Sequence, residues 1–318
     1  MTELIDADDL AMLASGFEAA LVAAPGPAEA DAALFELGWA DLLAASPTQA
    51  SAMALRTIGS TGAGACLLDD VVAAALGVEV TPDTCVVLPA PHAQTPSGSH
   101  APGEVTIDGV VSARVDTASV VLVPISNVAL ARVDASTLRR EVSVGIDADG
   151  PFRRLRTQAL AGEIIHLTGS WPDAVTQARV ALAHQLIGSA RWMLAEARQH
   201  AVDRTQFGRS IASFQALRHK LAETLVAIEG AESVATSFNG DQLHAALAKS
   251  LAGAATLTAG KHAQQVLAGI GFTVDHPFQA RLKQALVLDT LFGSAKSLPA
   301  EIGNELIQRG EAPRLIGL

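Results

Sequence analysis

Two short segments of this 318-residue chain hold residue types suited to gripping a charged, ring-bearing ligand: Arg204-Thr205-Gln206-Phe207-Gly208 and Gln265-Val266-Leu267-Ala268-Gly269-Ile270-Gly271. Arg204 offers a forked, permanently charged donor set that matches phosphate oxygens in pairs. Phe207 adds a flat apolar face for a ring, Gln206 a nearby amide, and Gly208 a place where backbone can approach closely. Taken alone, the first segment reads equally well as a surface arginine beside a core phenylalanine. The second is a glycine-rich turn without the preceding strand that a dinucleotide fingerprint or P-loop requires.

The rest of the chain bounds what those residues could serve. It is 49% hydrophobic and 17% charged, with 4% aromatics and no tyrosine. Abundant alanine favours tightly packed helices, so the expected class is mainly α with a small β domain. A net charge of -11 without any basic run argues against nucleic-acid or anionic-lipid partners. Cys66 and Cys85 lack metal or redox spacing and read as buried thiols. His184, His200, His219, His244, His262 and His276 form no pair at metal-binding spacing around a glutamate, and no Gly-x-Ser-x-Gly elbow occurs. The acidic start and the lack of a bilayer-length apolar run lead to an expected cytoplasmic location.

Three regions must position the two segments. Residues 1–83 carry short helical stripes, Leu10-Leu13-Phe17 and Leu34-Leu37-Leu42, punctuated by Pro25, Pro27 and Pro47. Residues 84–168 turn to β-branched runs at Cys85–Leu88, Val105–Ile107, Val110–Val115, Val120–Val123 and Val142–Val144. There, Asp108-Gly109 suits a tight turn, and Pro89 to Gly103 reads as a long loop. Residues 169–318 are expected to form an antiparallel bundle of four long helices. The first opens at Trp171-Pro172 and the second buries Phe214, Leu217, Leu221, Leu225 and Ile228 on one face. The third carries Leu243, Leu247, Leu251 and Ala254, and the fourth runs from Pro277 to Leu291.

The two segments, in this order, resemble the carboxy-terminal domain of acyl-CoA dehydrogenases. So do Gly269-Ile-Gly-Phe-Thr-Val-Asp-His-Pro277, with the basic Arg281 and Lys283 after it, and the helical stretches Phe35–Leu43 and Leu67–Gly77. The resemblance implies an FAD whose ADP half is held by Arg204, Gln206, Phe207, Gln265 and Gly269, on a cofactor belonging to a neighbouring subunit. It further implies desaturation of an acyl-CoA, in which a glutamate removes the α proton and the flavin takes a hydride from the β carbon. Yet the two places where the family carries that glutamate hold Phe292 and Ala178, so no catalytic residue is assigned. Asp173, Asp289 and Glu301 lie nearby but read as caps or solvated acids. Where the family has a Thr-Glu-Pro wall for the flavin ring, this chain has Leu88-Pro-Ala-Pro91.

This pattern resembles the short, β-type subunits of α2β2 acyl-CoA dehydrogenases in actinobacterial steroid catabolism, in particular those acting on indane-propionate remnants of cholesterol rings C and D. The resemblance implies a longer partner subunit that supplies the ring pocket and the glutamate. Two other readings are a degenerate scaffold or acyl-CoA binder, and a flavin-dependent monooxygenase, the latter disfavoured by the reduced β region.

Overall fold

The computed structural model describes residues 5–138, 145–148, 150–160 and 162–311. Five helices come first: α1 (Ala7–Ala23), α2 (Pro27–Glu36), α3 (Trp39–Ala45), α4 (Pro47–Thr61) and α5 (Leu67–Ala75). Pro27 and Pro47 open α2 and α4, where a missing amide costs nothing. The Leu34-Leu37-Leu42 stripe is not continuous. Gly38 adopts a left-handed conformation between α2 and α3, so Phe35–Leu43 is two helices and Leu37 is exposed.

Eight strands follow: β1 (Thr84–Val86), β2 (Leu88–Pro89), β3 (Gly98–Ala101), β4 (Glu104–Ser112), β5 (Val120–Pro124), β6 (Ala129–Asp134), β7 (Phe152–Leu160) and β8 (Glu163–His166). One sheet has the order β1-β5-β6-β8, with β1 parallel to β5 and the other pairs antiparallel. In the second, β4 pairs with β2 and β3 along one edge and with β7 along the other, all antiparallel. Val87, Val105, Ile107, Val121, Val123, Ala131 and Leu155 belong to one buried cluster in this region.

Two expectations about this region fail. Asp108-Gly109 is not a turn but lies inside β4, where Gly109 faces Leu155 on one side and Pro89 on the other. A side chain there would meet the Leu88 carbonyl at 2.4 Å, so the glycine serves close strand approach. The turn sits earlier, at Pro102-Gly103, and the supposed long loop contains β3. The strand expected at Val142–Val144 lies outside the described residues.

A buried polar cluster joins α2, α3 and α5 to the sheets. The Arg114 guanidinium donates to Asp31 Oδ2 (3.0 Å) and to both oxygens of Asp70, while Trp39 Nε1 donates to Asp70 Oδ2 (2.9 Å). Asp69 Oδ2 accepts from Ser112 Oγ (2.7 Å) and the Val86 amide (3.3 Å).

The remaining helices are α6 (Trp171–Asp203), α7 (Gln215–Thr236), α8 (Gln242–Leu267), α9 (Phe278–Thr290) and α10 (Leu298–Arg309). The helix after α9 was not expected. Between α6 and α7 stand two minimal strands, β9 (Thr205–Gln206) and β10 (Arg209–Ser210). The alanines Ala178, Ala181 and Ala190 of α6 and Ala248, Ala252 and Ala259 of α8 are fully or almost fully buried, and their small size lets two long helices pack closely. The expected single buried face of α7 is only partly so. Ile228 is buried, Phe214, Leu217 and Leu221 are half-buried, and Leu225 is 42% exposed. Thr224, Ile228, Ala231 and Ala235 are its buried residues instead. Leu225 joins Val226 (72% exposed), Leu251 and Leu257 among the exposed apolar side chains of α7 and α8.

Candidate functional site: a groove at the α6–α7 hairpin

Phe207 and Gly208 form the two-residue tip of the β9–β10 hairpin, with Gln206 paired to Arg209. Both tip residues have positive φ, 55° and 76°, as the hairpin turn that matches strand twist demands. Gly208 meets that demand freely, and a side chain there would touch nothing within 4 Å. Its left-handed conformation is what the turn requires, and no protein atom crowds it. Phe207 is strained by roughly 1–2 kcal/mol in this conformation. It is also 90% exposed, touching the edge of Phe214 at a centroid distance of 6.2 Å. The hairpin itself is firmly anchored. The Ile211 amide donates to the Arg204 carbonyl (2.9 Å), and Ser210 Oγ donates to the Ala201 and Val202 carbonyls (2.8 and 3.0 Å). Strain kept at an exposed aromatic by rigid surroundings is typical of a ligand clamp.

Across from the hairpin, α8 ends at Ala268, whose φ of 52° and ψ of -129° are unusual for a residue with a side chain. A short 3-10 turn then carries Gly269 to Gly271. Gln279 of α9 braces this turn, donating to Gln264 Oε1 and to the Gly271 carbonyl. Gln265 stays exposed beside it.

Between hairpin and turn lies an open groove of about 770 Å³, and Arg204, Gln206, Phe207, Gln265 and Gly269 all line it. So do three polar or aromatic residues that sequence reasoning had not assigned to a site: His200, Lys220 and Phe214. His200 could have been found, since it precedes Arg204 by one helical turn; Lys220 comes from another helix and gave no signal. Arg204 is exposed and has no acidic partner among the described residues. Burial and then the Arg204 charge hold the His200 pKa below the ordinary imidazole range. The groove therefore pairs a cationic wall with an aromatic face, a donor set that fits a nucleotide diphosphate. Arg281 lies elsewhere: it stacks on Trp192 and donates to the Ser60 carbonyl (3.1 Å).

At the position where a base was sought, the structure is closed. Phe292 is fully buried at φ 55° against Trp171, with centroids 6.1 Å apart. Its carbonyl accepts from Arg179 Nε (3.1 Å), and Arg179 also makes a bidentate pair with Glu301 at 2.9 and 3.0 Å. Gln94 Nε2 donates to the same Glu301 (2.6 Å), and Trp171 Nε1 donates to the Gln94 carbonyl (2.6 Å). Lys249, wholly buried, donates to the Asp289 and Gly293 carbonyls at 3.0 and 3.2 Å, and burial lowers its pKa to about 8. Ala178 is equally buried. The three acids near these positions are engaged: Glu301 by Arg179, Asp289 by the Ala295 amide, and Asp173 by the Ser170 hydroxyl. Beside this lock a mostly apolar pocket of about 480 Å³ opens between Pro91, Val110 and Phe152 and the α9 residues Leu286 and Val287, with Arg153, Arg154 and Asp289 also in its wall.

Elsewhere, Arg154 and Arg156 pair with Asp108 across the sheet. Cys66 and Cys85 are buried, and burial pushes both thiols far up. Among the described residues, no cluster of His, Cys, Asp or Glu could hold a metal, and no helix is long and apolar enough to cross a membrane.

Residues 172–307 match the acyl-CoA dehydrogenase C-terminal domain. The chain has the acyl-CoA dehydrogenase fold, and residues 172–307 are similar to the C-terminal domain of that family. The acyl-CoA dehydrogenase IpdE2 of Mycobacterium tuberculosis is 34% identical over 147 residues, which cover 44% of this chain and 42% of that protein. FadE34 from the same organism is 33% identical over 144 residues, 42% of this chain and 20% of its own length. The matches thus span under half of these relatives. Among solved structures, the ChsE4–ChsE5 complex of M. tuberculosis superposes with a TM-score of 0.78 at 19% identity, covering 99% of this chain and 100% of that one. A variant of the Tcur3481–Tcur3483 steroid acyl-CoA dehydrogenase gives 0.77 at 21% identity, covering 95% and 98%.

Proposed function

We propose that this chain is the β-type subunit of an α2β2 FAD-dependent acyl-CoA dehydrogenase that desaturates a bulky, steroid-derived acyl-CoA. One observation carries the reading: the five residues expected to hold the ADP end of FAD share one groove, Arg204 among them having no acidic partner among the described residues, while an expected base position is a buried, braced Phe292. Arg204 would bind pyrophosphate oxygens, Phe207 would cover an adenosine face, and the Gln206 and Gln265 amides would orient the nucleotide. Bound FAD would supply the hydride acceptor for the oxidation. The longer partner would supply the flavin-ring pocket and the glutamate that takes the α proton.

The exposed Val226, Leu225, Leu251 and Leu257 support a partner, because an apolar face of this kind is what an interface covers. The steroid assignment is supported by a structural neighbour described as a steroid acyl-CoA dehydrogenase. The mostly apolar pocket beside the lock offers room for part of a large acyl group.

Purifying the chain alone and together with a longer acyl-CoA dehydrogenase encoded beside it, and recording flavin absorbance, tests the proposal. Flavin should appear only in the joint complex, at two per tetramer, and should vanish in Arg204→Ala. A flavin-loaded oligomer of this chain alone would overturn it. A complex that keeps its flavin in Arg204→Ala would favour a scaffold role.

A further inference from the structure

His200 lies in the last turn of α6 and Arg204, four residues on, is the residue that caps it, and both line the groove. The Arg204 amide donates to the His200 carbonyl at 2.9 Å, which fixes their relative position. The charged groups around the imidazole are Asp203 on its own helix, Arg204 at that helix's C-cap, His276 from the turn before α9, and Lys220 across the groove on α7. Glu196 faces His276 at 3.7 Å and partly balances that side. Burial, and then the neighbouring positive charges of Arg204 and His276, favour the neutral form of His200.

An anion at Arg204 changes this balance. It cancels the repulsion from the guanidinium and adds an attraction of its own. We propose that His200 is a second, proton-linked cation of the groove, taking up a proton as a nucleotide diphosphate binds beside Arg204. The inference rests on the nucleotide reading of the groove and adds to it a residue and a pH dependence. The complex then holds more protons than the free chain, so affinity rises as pH falls, at most tenfold per unit, between the free and bound imidazole pKa values.

The test is calorimetric titration of the full chain with ADP-ribose, whose diester pyrophosphate does not titrate near neutrality. It is run at pH 7 in two buffers of different ionisation heat, then from pH 6 to pH 8. The expected result is net proton uptake, several-fold tighter binding at pH 6 than at pH 8, and loss of both in His200→Gln. NMR titration of the His200 ring should show its midpoint move up when ADP-ribose is added. Binding without proton uptake, or uptake unchanged in His200→Gln, would overturn the role of His200 while leaving the groove a nucleotide site. No binding of ADP-ribose at all, in the wild type as in Arg204→Ala, would overturn the nucleotide reading itself.

Discussion

Replacing Asp69 with asparagine should stabilise the chain at pH 8 and leave it unchanged or slightly weaker at pH 5. The cluster around Asp69 gathers three carboxylates, Asp31, Asp69 and Asp70, about a single guanidinium, Arg114. Arg114 touches Asp31 and Asp70 directly, whereas Asp69 takes only the Ser112 hydroxyl and the Val86 amide. Its Oδ1 is buried without a hydrogen-bond partner among the described residues, and two thiols, Cys66 and Cys85, lie beside it. Burial therefore raises its pKa from 3.8 to about 7 despite Arg114. The folded chain keeps a proton there that the unfolded chain releases near pH 4. Stability must then fall as pH rises from about 4 to about 7 and level off above, at about 1.4 kcal/mol per unit, a ceiling of roughly 4 kcal/mol. Asparagine cannot ionise and escapes this loss, though its amide nitrogen takes the place of the orphaned oxygen at a cost of about 1–3 kcal/mol at every pH. Urea midpoints measured for both proteins at half-unit steps from pH 5 to pH 8 give the difference curve. It should climb with pH, with the variant gaining on the wild type across the series. Parallel curves would mean that Asp69 is already ionised at pH 5 and that the burial argument is wrong.

Phe207→Ala should alter folding stability by no more than about 0.5 kcal/mol, because the ring is exposed, yet lower flavin retention in the joint complex, read as absorbance per subunit. Phe292→Glu should create no dehydrogenase activity in this chain and should destabilise it by several kcal/mol, since the position is fully buried and its surroundings are already hydrogen-bonded. Thermal unfolding and acyl-CoA-dependent bleaching of flavin measure the two effects. Val226→Asp should leave the isolated chain's unfolding midpoint within about 0.5 kcal/mol of wild type while weakening assembly with the partner, followed by size-exclusion chromatography.

How far the sequence could be read depends on what each residue's setting determines. Residues 204–208 stood out as one unit because they are contiguous, but the hairpin they form, tied by Ser210 to the end of α6, was not read from the sequence. The β region was less legible. Three arginines in Phe152–Leu160 hide the alternation of β7, and Gly109, a turn residue by type, marks instead the close passage of β2. The informative miss is the leucine face of α7. Helical periodicity reveals that Leu217, Leu221 and Leu225 share a stripe, but says nothing of which surface will cover it. In this chain part of the stripe walls the groove and part stays exposed beside Val226 and Leu251. An apolar stripe buried by its own domain and one reserved for another subunit are the same pattern in sequence. They separate only when the fold shows that α7 contacts its neighbours through Thr224, Ile228 and Ala231 and leaves the larger side chains without cover. The same logic applies to Phe207: its type and place in the sequence say nothing of its strained backbone and exposure at the hairpin tip, which only the fold shows.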